Sequence, residues 1–136
     1  MLFNFVKIRI GYFSPDFKNH PVAHLTAGLF EHHDRNKFQI HAFSFGIGSV
    51  DEFTDRIKSG VDYFHQIQTL SDKQITLLSR SLEIDIAVDL VGFTAGCRPN
   101  IFAMKAAPIQ IGYLGFLGTM GADYYEYIIA DTTIIP

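Results

Sequence analysis

"IDIAVDLVG", Ile84–Gly92, is a nearly unbroken apolar run. A run of this kind fits a parallel strand buried on both faces. Such a strand needs helices on either side, and the flanking sequence supplies them. Upstream, Ser71 and Gln74 form a Ser-x-x-Gln capping box, and Ile75, Leu78 and Leu82 follow as an apolar helical stripe. Downstream, "RPNIFAMKAAP" reads as a short helix, with Pro99 near its start and Pro108 beyond its end, and "IQIGYLG" reads as the next strand. The same rhythm extends toward the N-terminus. "KIRIGYFS" (Lys7–Ser14) alternates, with Ile8, Ile10 and Tyr12 on one face. "VAHLTAGLFEHHD" follows Pro21 and carries Val22, Leu25 and Leu29 at helical spacing. "FQIHAFSFG" (Phe38–Gly46) alternates again and puts His41 on its polar face. Ser49 and Glu52 predict a second capping box, opening a helix with Val50, Phe53 and Ile57 on one face and Gly60 at its end. "VDYFHQI" and "YYEYIIAD" (Tyr124–Asp131) complete the strands. Strands alternating with helices define an α/β fold, a Rossmann-like parallel sheet with helices on both faces.

The bulk properties narrow the function classes. With 136 residues and 48% hydrophobic content, the chain suits one domain or one lobe with a real core. A net charge of −3 and the lack of any basic block argue against a nucleic-acid partner. The lone cysteine, Cys97, fits a reducing compartment. The start, "MLFNFVKIRIGYFS", is too short and too interrupted by Lys7 and Arg9 for a signal peptide or membrane span, so a cytoplasmic setting is expected. The sequence contains no internal repeat, low-complexity stretch or linker.

Open parallel sheets bind ligands beyond the carboxyl ends of their strands. That rule selects Asp16–His20, Asp89–Thr94 and Leu114–Gly121, which should share one sheet edge. In "YFSPDFKNHPVAH", Pro15 and Pro21 restrict a turn holding Asp16, Asn19 and His20. His20 can serve as a general base or a hydrogen-bond donor, and Asp16 can orient it or hold a substrate hydroxyl. Backbone N–H groups after Pro21 can receive a polar oxygen or an anion. The alternative is that Asp16 or Asn19 only closes the turn, with His20 at the surface.

Other polar residues carry less. His20 and His24 stand four apart but lack the glutamate of H-E-x-x-H, and Pro21 intervenes, so zinc is not expected. His32–Asp34 reads as imidazoles at a helix C-terminus, and neither His41 nor His65 has a supporting constellation. Asp89, inside an apolar strand, needs a partner, and a structural hydrogen bond is favoured over catalysis. Thr94 offers a hydroxyl, Arg98 a single cation for phosphate, and Cys97 has no mark of a nucleophile. "YLGFLGTMG" (Tyr113–Gly121) spaces Gly115, Gly118 and Gly121 as G-x-x-G-x-x-G, which is neither a dinucleotide nor an ATP fingerprint.

Taken together, "IRIGYFSPDFKNHPVAH", "FEHHDRNKFQIHAFSFG", "IDIAVDLVGFTAGCR", "APIQIGYLGFLGTMG" and "DYYEYIIADTTIIP" resemble the protein O-GlcNAc transferases, including the SPINDLY-like bacterial proteins, from about Lys7 onward. The resemblance implies the N-terminal catalytic lobe of a two-lobed GT-B glycosyltransferase as a single unit over residues 1–136. The second, nucleotide-binding lobe and the tetratricopeptide repeats are expected to lie outside these residues. It implies inverting transfer of GlcNAc from UDP-GlcNAc to protein Ser or Thr hydroxyls, without a metal, and an inactive lobe when alone. A relative using GDP-fucose and a non-catalytic protein-binding lobe are the rival readings; an unrelated flavodoxin-like binding module is a further one, which the matched loops oppose. By the same resemblance, His20 and Asp16 are catalytic, and Asn19, Pro21, Val22, Thr94, Leu114, Gly115 and Phe116 contact substrate. Val22 replaces a frequent Thr or Ser, Phe93 replaces a frequent His or Tyr, and Tyr113-Leu114-Gly115-Phe116-Leu117 replaces Trp-Leu-Gly-Tyr-Pro.

Overall fold

The computed structural model describes residues 6–48, 50–92, 94–114 and 123–130. Among the described residues, ten elements follow in order: β1 (Ile8–Ser14), α1 (Pro21–His32), β2 (Phe38–Ser44), α2 (Glu52–Gly60), β3 (Tyr63–Gln66), α3 (Asp72–Ser81), β4 (Ile86–Asp89), α4 (Asn100–Ala103), β5 (Ile109–Tyr113) and β6 (Tyr127–Ile129). The strands form one sheet in the order β3-β2-β1-β4-β5-β6. Every pairing is parallel, for example Ile10 opposite Ile40 on one side and Ile86 on the other. The α/β parallel sheet expected from the sequence is therefore what the chain forms. The strand order reverses between β1 and β4, so the switch point lies where the β1 and β4 loops leave the sheet.

Both faces are covered, which explains the apolar run at Ile84–Gly92. Ile10, Tyr12, Ile40, Ala42 and Val88 pack with Ala23, Ala27 and Phe30 of α1 and Ile57 of α2. Phe13, Phe43, Ala87 and Val91 pack with Ile75 of α3 and Ile101 and Phe102 of α4. Phe13 and Phe43 stack across β1 and β2 with centroids 4.4 Å apart. Burying each such ring contributes roughly 2–3 kcal/mol.

Several sequence expectations are corrected. Helix α2 is capped by Asp51, not by the expected Ser49–Glu52 box; Asp51 pairs with Thr54, and Glu52 is the first helical residue. A carboxylate at that position also complements the positive end of the helix. Ser49 itself lies outside the described residues. The predicted Ser71–Gln74 box is present at α3. On α1, Leu25 is 64% exposed, and the inward face is instead Val22, Ala23, Thr26, Ala27 and Phe30. Val22 and Leu29 of the expected stripe do pack against the core, and only Leu25 faces outward; Ala23, Thr26 and Ala27 let the helix approach the sheet closely. His41 is 2% exposed rather than on a polar face, because its ring stacks among Phe43, Tyr63 and His65. It has a constellation after all: Nδ1 lies 2.9 Å from His65 Nε2, and Nε2 lies 2.9 Å from Gln39 Oε1. Among the described residues, no helix is long and apolar enough to cross a membrane.

Candidate active site

The turn after β1 is held at several points. Ser14, the buried last residue of β1, accepts the Asp16 N–H on its hydroxyl at 2.9 Å. Phe17 turns inward and is buried against Phe30 and Phe64. That apolar anchor fixes the turn while Asp16 and His20 remain at the surface. Asn19 donates its backbone N–H to Asp51 Oδ2 at 2.7 Å, and its Oδ1 meets His24 Nε2 at 2.8 Å. His20 is the N-cap residue of α1, in extended conformation, with Pro21 as the first helical residue.

The His20 ring is oriented by its own helix. Its Nδ1 accepts the Val22 N–H at 3.1 Å. A neutral ring that accepts at Nδ1 carries its proton on Nε2. Nε2 lies 3.8 Å from Asp16 Oδ2. The turn thus presents an N–H donor and a carboxylate acceptor side by side. The Val22 N–H is consequently engaged by the imidazole rather than open to an anion, as the sequence suggested. The Val22 side chain is in the core, and Pro21 is exposed.

The loop after β4 lies beside this turn. A Cβ on Gly96 would stand 3.4 Å from Pro15 Cγ, and Gly96 has a φ of +80° that favours glycine. Asp89 makes structural bonds, as expected: Oδ1 accepts the N–H groups of Val91 and Gly92, and Oδ2 accepts the Tyr125 hydroxyl. Burial first, then the Asp89 charge, pushes the Tyr125 phenol far above its ordinary range, so it stays a donor. Thr94 is exposed, and its hydroxyl donates to the Val91 carbonyl at 2.9 Å. Arg98 is committed elsewhere: Nε meets Asp72 Oδ1 at 2.6 Å and Nη2 the Leu70 carbonyl at 2.7 Å, which opposes a phosphate role. Leu114 directly follows β5 with a φ of +70°, a left-handed conformation that costs a leucine about 1 kcal/mol. Gly115 and Phe116 lie outside the described residues.

An open groove of about 510 Å³ runs along this edge past Asp16, Lys18, Phe45, Gln68, Gly96 and Arg98. A second cavity, about 570 Å³, lies at the opposite ends of the strands, beside Arg9, Arg80, Asp85 and Pro108. The first adjoins the Asp16–His20 pair and the switch point, and the second is remote from both. Asp51 and Thr54 were not singled out by sequence reasoning. Their Asp-x-x-Thr spacing is a cap signal, but their link to the turn crosses more than thirty residues.

A parallel sheet with its polar loops gathered at the switch point is the arrangement of a Rossmann-like ligand-binding lobe. Residues 3–136 match the model of glycosyl transferase family 41, and the chain belongs to that family. It is 37% identical over 132 residues to the Arabidopsis thaliana protein named "Probable UDP-N-acetylglucosamine--peptide N-acetylglucosaminyltransferase SEC", covering 97% of this chain and 14% of that protein. It is 32% identical over 136 residues to the Caenorhabditis elegans UDP-N-acetylglucosamine--peptide N-acetylglucosaminyltransferase, covering 96% of this chain and 11% of the relative. A solved structure of a Thermobaculum terrenum O-GlcNAc transferase mutant superposes with a TM-score of 0.89 at 31% identity, covering 93% of this chain and 24% of that one. The chain therefore spans a small part of the relatives it matches.

Proposed function

We propose that this chain is the N-terminal catalytic lobe of a protein O-glycosyltransferase that moves GlcNAc from UDP-GlcNAc to Ser or Thr hydroxyls with inversion. The observation that carries this reading is the Asp16–His20 pair, 3.8 Å apart at the switch point of a family 41 chain. An acceptor oxygen about 2.8 Å from both groups would accept from His20 Nε2–H and donate to the Asp16 carboxylate. That hydrogen-bond pattern aims its lone pair at the anomeric carbon. Attack forms the new C–O bond as the bond to the diphosphate breaks, and the bonding pair leaves with the diphosphate. The proton released from the hydroxyl passes to the Asp16 carboxylate. His20 is then an orienter in this geometry, since its Nδ1 lone pair is engaged by Val22.

Arg98 is tied to Asp72, so the charge of the departing diphosphate is neutralised by a second lobe rather than by this cation. In this reading Asn19, Thr94 and Leu114 contact substrate, Pro21 and Val22 start the helix beside it, and Gly115 and Phe116, outside the described residues, are assigned to substrate by the family resemblance alone. No metal takes part, so a chelator leaves the rate unchanged. The reaction takes place in the cytoplasm.

The test is UDP release with a peptide acceptor, using the polypeptide in which this lobe is followed by its second lobe. His20→Ala and Asp16→Asn should each lower turnover by at least about 100-fold. Unchanged turnover in both would reject the assignment. Parallel reactions with GDP-fucose decide the donor, and no transfer with either would favour a non-catalytic lobe. Alone, the chain should transfer nothing and bind UDP weakly; an affinity near 1 µM by calorimetry, about −8 kcal/mol, would contradict this.

A further inference from the structure

We propose that Asp51 is a positioning residue of the candidate active site, holding the Asn19–His20 turn with the carboxylate that also caps α2. The inference rests on the reading of Asp16 and His20 as the reacting pair. Asp51 Oδ1 accepts the N–H groups of Phe53 and Thr54 at 3.0 and 3.1 Å. Its Oδ2 accepts the Asn19 N–H at 2.7 Å, across 32 residues of sequence. Only a group with two acceptor oxygens can do both at once; serine or asparagine can cap the helix but offers a single acceptor oxygen. The contact to Asn19 is charge-assisted, and it is the first cause that holds the Asp51 carboxyl below its ordinary range.

The rest of the first turn of α2 reinforces the hold. Thr54 accepts the Asp51 N–H and donates its hydroxyl to the buried Phe17 carbonyl at 2.7 Å. The His24 ring packs on Phe53 with centroids 4.3 Å apart while bonding Asn19 Oδ1. Phe17 and Asn19 are thus fixed to α2 immediately before His20. With the turn fixed, the His20 ring keeps Nδ1 on the Val22 N–H and Nε2–H toward Asp16. If the turn is released, the ring is free to exchange tautomers.

The test uses ring and amide NMR of the chain carrying Asp51→Ser, which keeps a good helix cap and removes the second oxygen. The nitrogen shifts of His20 should show the Nε2–H tautomer in the wild type and a mixture in the variant. The Asn19 amide should exchange about tenfold faster, the loss of one charge-assisted hydrogen bond. The melting temperature should fall by only a few degrees, because the helix cap remains and a single hydrogen bond is lost. Asp51→Asn, which turns a donor toward Asn19, should give the same two changes and serves if the serine variant fails to fold. Unchanged Asn19 exchange and an unchanged His20 tautomer in the folded variant would overturn the proposal. The readout does not depend on turnover. Failure of glycosyl transfer would leave the positioning role standing, and the reverse also holds.

Discussion

Gly46 and Pro15 meet backbone to backbone: a Cβ built on Gly46 would stand 1.8 Å from the Pro15 carbonyl oxygen. The next bond along, Phe45 N–H to the Ser14 carbonyl at 3.2 Å, carries the β1–β2 ladder into the same place. The loop after β2 therefore sets the height of the turn that starts with Pro15 and carries Asp16. Gly46→Ala must push the two loops apart, since neither atom in the clash belongs to a flexible side chain. The expected cost is about 2–4 kcal/mol, read as a lower urea midpoint, with Asp16 and His20 amide shifts displaced. A midpoint within error of wild type would show that the loops part without cost.

Thr54 joins α2 to the same turn through a buried hydroxyl. Thr54→Val keeps the shape and leaves the Phe17 carbonyl and the Asp51 N–H without their partner. A loss of about 1–3 kcal/mol is expected by denaturant unfolding, with most of it recovered in Thr54→Ser. Equal stability of the valine and serine variants would remove the hydroxyl from the account.

Tyr125 ties the segment before β6 to the end of β4 through Asp89, which is 4% exposed. Tyr125→Phe should cost about 1–3 kcal/mol, because one carboxylate oxygen is then buried without its donor. Protection of the Val91 and Gly92 amides should survive, since Asp89 Oδ1 still accepts both. Loss of that protection would mean that Tyr125, not the turn itself, holds the aspartate.

Acid should loosen the β2–β3 side of the sheet. Burial first, then His65, Arg9 and a partial opposing pull from Asp62, takes the His41 ring down to about 4. His65 is also lowered, by burial. An unfolded imidazole titrates near 6.5, so between pH 6.5 and 4 the unfolded chain binds more protons than the folded one. Stability is then complete above this window and falls as pH falls through it, by roughly 2 kcal/mol at pH 5 from His41. Urea midpoints from pH 7 to 4.5 measure the slope, and His41→Gln should flatten it. An equally steep slope in that variant would assign the acid sensitivity to other groups.

The alternation of strands and helices was legible because periodicity is a local property. A strand buried on both faces had to be apolar at every position, and Ile84–Gly92 is. The Ser71–Gln74 cap was legible for the same reason, since its partners lie within one helical turn. The loops after β1 and β4 that border the candidate site were legible from where they fall; the loop after β5 lies mostly outside the described residues. The pairing of Asp16 with His20 was within reach too, since the two lie four residues apart.

Tertiary structure decided what those residues face. Asp51 displaced Ser49 as the α2 cap, and its second oxygen reached Asn19 in a loop distant in sequence. Arg98 was claimed by Asp72, and Leu25 was left outside because the small face of α1 fits the sheet more closely. His41 looked polar by alternation, yet its ring is stacked among Phe43, Tyr63 and His65, and His65 on the neighbouring strand supplies its partner. By itself the sequence determined the elements, their order and the loops that leave the carboxyl edge of the sheet, because hydrophobic period and capping act over a few residues. Which polar atoms pair, and so which groups remain free to act, was decided by packing, because burial forces each polar atom to find a partner wherever the fold provides one.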